Sequence, residues 1–83
     1  MTITKAFNKA IKVWEQEKGK TAELRGAELW EMTGRNGKYE YLLVRITYAT
    51  MQDGEAGDYT ESDKNPYLVR VDDQDGVITA RHI

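Results

Sequence analysis

Carboxylates are the one class of reactive side chain this sequence holds in quantity, and they gather in two places. Asp53, Glu55, Asp58, Glu61 and Asp63 lie in "MQDGEAGDYTESDKN" (51–65), and three more crowd the stretch Asp72-Asp73-Gln74-Asp75-Gly76. Oxygen ligands at this density hold a hard divalent cation when a rigid frame fixes them. Aligning Gly76 with the glycine of a calcium loop of EF-hand type puts Asp73 and Asp75 at ligand positions. It also puts Val71 and His82 where the first and last carboxylates belong, and the flanking segments are β-like rather than helical. The second group therefore reads as an acidic β-turn, because Asp side chains bond nearby amides and Gly accepts positive φ. Nothing in the sequence frames the first group, which reads as a solvated acidic loop suited to recognising another protein. A divalent-metal or ligand site built from the same carboxylates is the alternative.

Other catalytic chemistry has few residues to draw on. The chain has no Cys, one Ser at Ser62 and one His at His82, so neither a nucleophilic triad nor a thiolate site can be assembled. No carboxylate pair stands beside an apolar lip that would raise a pKa. The Gly-x-x-Gly of "GRNG" is too short to cradle a phosphate. No enzyme activity, resident metal or cofactor is expected. A sequence pI of about 5.3 argues against the broad basic footprint of a nucleic-acid binder. Charge is nonetheless polarised: residues 1–25 carry six Lys/Arg against three Glu, while residues 51–76 carry two Lys/Arg against eight Asp/Glu.

Several elements must position these groups. Ile3, Ala6, Phe7, Ala10, Ile11 and Trp14 follow one helical face, with Lys5, Lys9 and Lys12 on the other. This spacing predicts a helix over 3–18, capped by Thr2 or Thr4 and ended by a left-handed Gly19. The stretch "TAELRGAELWEM" has helical propensity but no clean apolar stripe, and it precedes "GRNGKYEYLLVRITY". Asn36-Gly37 before a β-prone run is a strong hairpin signal, so 23–33 and 38–50 are expected as paired strands. Leu42, Val44, Ile46 and Tyr48 should face the helix, leaving Tyr41, Leu43, Arg45 and Thr47 on the opposite face, where Tyr39, Tyr41 and Leu43 form a candidate patch. A long mobile loop is expected over 51–65, followed by strands at 67–71 and 77–82. The expected core is Ile3, Phe7, Ile11, Trp14, Leu42, Val44, Ile46, Val69 and Val71.

At 83 residues the chain is expected to be a single domain with a thin core. The expected class is α+β, one N-terminal helix packed on a four-stranded antiparallel sheet in the order α-β-β-β-β. The N-terminal stretch lacks the apolar run of an export signal, and no segment is apolar enough to span a membrane. With no cysteine, a cytoplasmic setting is expected.

The ending Tyr67-Leu-Val69-Arg-Val71-Asp72-Asp-Gln-Asp-Gly76-Val-Ile78 resembles the closing hairpin of PepSY modules, in which Tyr-x-Val-x-Val-Asp leads through a short turn to Gly and a second apolar strand. One helix on an antiparallel meander is also similar to cystatins. The resemblance implies the fold. PepSY modules are typically exported or membrane-tethered and are suspected of modulating proteases, whereas this chain shows no export signal. The Gln-x-Val-x-Gly loop of cystatins has no counterpart here, so protease inhibition does not carry over. The expected function is a small non-catalytic protein-binding module, regulatory or inhibitory. It would act through Asp53, Glu55, Asp58, Tyr59, Glu61 and Asp63 of the loop, through Tyr39 and Tyr41 of the exposed sheet face, or through a sheet edge. Pairing of strand 77–82 with a second copy would make a homodimer.

Overall fold

The computed structural model describes residues 1–51, 59–61 and 66–83. Helix α1 (Ile3–Lys18) is followed by β1 (Ala22–Arg35), β2 (Lys38–Met51), β3 (Tyr59–Glu61), β4 (Tyr67–Gln74) and β5 (Val77–His82). All pairings are antiparallel, along the path β1-β2-β4-β5, which is the expected helix on a four-stranded sheet. The short β3 is an addition within the stretch expected to be loop, pairing with the end of β2 at Ala49–Met51. Among the described residues no helix is long and apolar enough to cross a membrane.

Helix α1 starts where Thr2 Oγ1 accepts the Lys5 N–H at 3.1 Å. It stops at Gly19, whose N–H returns to the Glu15 carbonyl at 2.9 Å. Gly19 is right-handed, with φ −59° and ψ −20°, and not left-handed as the sequence suggests. A Cβ at this position would sit 2.6 Å from the Glu15 carbonyl oxygen, so close approach rather than handedness calls for glycine.

The line of α1 that meets the sheet is Ala6, Ala10 and Trp14, all buried, while Phe7 and Ile11 are half-buried and Ile3 is 37% exposed. The two alanines bring the helix backbone close to the strands. The larger residues of the stripe then flank the contact instead of filling it. Beneath lie Leu42, Val44, Ile46 and Tyr48 of β2 and Tyr67, Val69 and Val71 of β4. Fully burying each aliphatic side chain contributes about 1.5–3 kcal/mol before entropy is counted.

Both hairpins turn on two residues in the left-handed region: Asn36 (φ 53°) with Gly37 (φ 76°), and Asp75 (φ 53°) with Gly76 (φ 89°). Two positive φ values match the twist of the flanking strands. Strand β4 runs to Gln74, three residues beyond the expected end, so Asp72 and Asp73 belong to the strand and not to the turn.

Register explains why β1 resembles neither helix nor strand in sequence. Its pairing with β2 shifts between Leu24 and Gly26 and again between Leu29 and Glu31. Each shift is a bulge with one extra residue, Arg25 and Trp30, and each reverses which side of the sheet the following residues face. Leu24, Ala27, Leu29 and Met32 thus stand opposite Tyr48, Ile46, Val44 and Leu42 on the helix side, although their spacing obeys no single period. A third shift, between Thr33 and Gly34, leaves Glu40 as the extra residue on β2.

Candidate functional site

The face of the sheet away from α1 carries the most structured chemistry among the described residues. Alternation along β2 and β4 sends Tyr41, Leu43, Arg45, Leu68, Arg70 and Asp72 to this side, because their neighbours Leu42, Val44, Val69 and Val71 are fully buried beneath the helix. The two bulges of β1 add Arg25 and Trp30. In the register Leu43 stands beside Arg70 and Leu68 beside Arg45, a checkerboard of cationic and apolar groups.

Two arginines here lie over aromatic rings and are held by carboxylates. The Arg45 guanidinium stands 5.3 Å from the Trp30 ring centre and its Nη1 donates to Glu28 Oε1 at 3.1 Å. Arg70 lies 4.1 Å over the Tyr41 ring, with Nε donating to Asp72 Oδ1 at 3.0 Å and Oδ2 at 3.1 Å. Tyr41 in turn donates its hydroxyl proton to Glu31 Oε1 at 3.3 Å. Each exposed cation–π contact is worth about 0.5–1 kcal/mol. Its larger effect is to fix long side chains that would otherwise be free. Arg81 of β5 lies directly across from Arg70 and is exposed. Tyr41, Arg70, Asp72, Thr79 and Arg81 line an open depression of about 740 Å³.

The expected site residues separate. Tyr41 is on this face, but Tyr39 packs against the core on the helix side. The bulge at Glu40 reverses the alternation between the two tyrosines, which a strict two-residue period cannot anticipate. Asp53, Glu55, Asp58 and Asp63 lie outside the described residues; Tyr59 and Glu61 begin and end β3, opposite Met51 and Ala49. Trp30 and Arg70 went unrecognised in the sequence, which places Arg45 on this face without a role. The available signal was a Trp set between Glu28 and Glu31 in a strand with no consistent apolar side.

The acid-rich hairpin resolves into separate structural tasks. Asp72 holds Arg70, while Asp73 accepts the Gly76 N–H at 3.0 Å and the Met1 ammonium at 2.6 Å. The ammonium, then the Gly76 amide, hold the Asp73 carboxyl below its usual value. Among the described residues no three His, Asp or Glu side chains converge as a metal site would require.

His82 joins two distant residues. Its ring stacks on Tyr67 at 3.9 Å and its Nδ1 lies 3.0 Å from Glu17 Oε2, which also accepts the Tyr67 hydroxyl at 2.5 Å. The Tyr67 hydrogen bond, and less so His82, keep Glu17 below its usual value. Burial, then the bond to Glu17, raise Tyr67 far above its ordinary 10.0, so its proton stays in place. The cluster clasps the last turn of α1 to β4 and β5, with one Glu17 oxygen shared between two neighbours. No family model, curated protein or solved structure matches the chain, and its function must be argued from its own geometry.

Proposed function

We propose that the protein is a small non-catalytic binding module, regulatory or inhibitory in character, that engages another protein through the helix-free face of its sheet. The observation that carries this reading is the pair of arginines laid over Trp30 and Tyr41 and fixed by Glu28 and Asp72. Trp, Tyr and Arg dominate the energetics of protein interfaces, above all where they are rigid before the partner arrives. Trp30 is 52% exposed, far more than its size favours in a side chain with no external task. The carboxylates of 53–63 are the second contributor, a charge run that steers a basic surface toward the domain. A cytoplasmic setting fits a chain without cysteine.

The test is affinity capture with the wild-type protein beside two variants, Trp30→Ala with Arg45→Ala, and Glu55→Gln with Asp58→Asn and Glu61→Gln. Loss of the same captured protein in the first variant supports the face, and loss in the second supports the acidic segment. Unchanged capture by both defeats the proposal.

A further inference from the structure

The two open edges of the sheet are not equivalent. Among the described residues strand β1 pairs only with β2, and its outer edge is broken by the bulges at Arg25 and Trp30, a common protection against adding another strand. The pairing of β5 with β4 runs from Val69–His82 to Gln74–Val77 without a shift, and among the described residues no strand pairs with the outer side of β5. The two-residue turn closes on the pair Gln74–Val77, and the Ile83 N–H donates to the Leu68 carbonyl at 3.0 Å. Between these fixed points Thr79 and Arg81 bond to β4. The backbone groups of Ile78, Ala80 and His82 therefore point outward.

Alongside this edge lies the polar side of α1. Lys5, Asn8, Lys9 and Lys12 line a groove of about 380 Å³ with Gly76 and Ile78. The three lysines are exposed, and none is ion-paired among the described residues. Helix and strand run in the same direction, since Met1 reaches Asp73 before the turn and Glu17 reaches His82 at the strand's end. Along the helix Lys5 and Lys9 are about 6 Å apart and Lys9 and Lys12 about 4.5 Å, within the reach of flexible lysine side chains to the roughly 6.7 Å repeat of same-side residues in an extended chain.

We propose that the outer edge of β5 accepts an extended acidic segment of another protein as an added strand. Its backbone bonds to Ile78, Ala80 and His82, and carboxylates at every second position meet Lys5, Lys9 and Lys12. A second copy of this chain is a poorer occupant, because two-fold pairing of β5 with itself sets two rows of lysines side by side. The inference uses a surface different from the Trp30 face and stands or falls separately from it.

The test titrates isotope-labelled protein with a short synthetic peptide alternating Glu with Val and Thr, and with the same peptide carrying Lys for Glu. The expected result is saturable amide shifts and slowed exchange at Ile78, Ala80 and His82 with the acidic peptide only. Lys5→Glu with Lys9→Glu should weaken binding by roughly tenfold or more. Ala80→Pro should abolish binding while the fold persists, because the lost donor points outward and the bonds of Thr79 and Arg81 to β4 remain. Trp30→Ala should leave peptide binding unchanged. The inference is overturned by absence of binding, by equal binding of the Lys peptide, or by shifts confined to β1 or the helix-free face. It is equally overturned if a folded Ala80→Pro protein or the charge-reversed variant binds as the wild type does. Self-association that Ala80→Pro abolishes would assign the edge to a second copy and overturn it too.

Discussion

The hairpins β1–β2 and β4–β5 close with the same kind of two-residue turn but become different objects. The first has fourteen residues in each strand and three register shifts. At roughly 46 Å it accounts for nearly the whole 48 Å length of the molecule, far more than the roughly 24 Å of α1. The second has strands of eight and six residues, no shift, and is clasped at both ends, by Asp73 to the Met1 ammonium just before the helix and by Glu17 to the helix's last turn. Turn chemistry sets only where a chain reverses. Bulges and helix cover decide whether the product displays side chains on a face, as β1–β2 does with Trp30, or presents a clean backbone edge, as β4–β5 does.

The most damaging change to both hairpins should be Trp14→Ala, because this ring is 3% exposed and lies 5.9 Å from Tyr48 at the shared core. Loss of about 3–5 kcal/mol is expected in urea unfolding. Trp14→Phe should cost distinctly less, since the buried Nε1 has no hydrogen-bond partner among the described residues to lose. Equal losses would mean the indole nitrogen is satisfied in solution.

Next in size are the turn glycines. Gly37→Ala and Gly76→Ala both force a side chain into positive φ, at about 1–2 kcal/mol each. The contrast between hairpins predicts different consequences. Gly76→Ala should raise hydrogen exchange along β4 and β5 and loosen α1, whereas Gly37→Ala should affect mainly the tip near Arg35 and Lys38. The reverse ranking would show that the long hairpin is the more tightly coupled of the two.

Acid should loosen the contacts that hold β4–β5. Glu17 and Asp73 have folded values below their ordinary 4.5 and 3.8, so their stabilisation is complete above those values and is lost as pH falls through the depressed ones. Tyr67 acts in the opposite sense: raised above 10.0, it contributes stability that is present below that pH and lost as pH climbs beyond it. Thermal melts of Glu17→Gln and Asp73→Asn should show a flatter acid limb than the wild type. Melts of Tyr67→Phe should show Glu17 titrating closer to its usual value.

The smallest effect on stability is expected for Trp30→Ala, within about 0.5 kcal/mol, because a half-exposed ring over one arginine supports little. Acrylamide should quench Trp30 readily and Trp14 hardly at all. A large loss of stability would convert Trp30 from a displayed group into a structural one and remove the main support for the interaction face.

What the sequence by itself determined is what neighbouring residues determine together. The 3.6-residue period from Ile3 to Trp14 specifies α1, and Asn36-Gly37 and Asp75-Gly76 specify both reversals, because helix periodicity and positive φ are local properties. Element order and antiparallel pairing follow from them. The tertiary structure alone decided which side of the sheet each residue of β1 faces, since a bulge exists only relative to a partner strand; this moved Trp30 onto the open face, and the bulge at Glu40 kept Tyr39 with the core. It also decided that Ala6 and Ala10, not Ile3, meet the strands, and that Glu17, Tyr67 and His82 come together. Residues separated by dozens of positions meet only after the layers have packed, and no window of sequence contains that geometry.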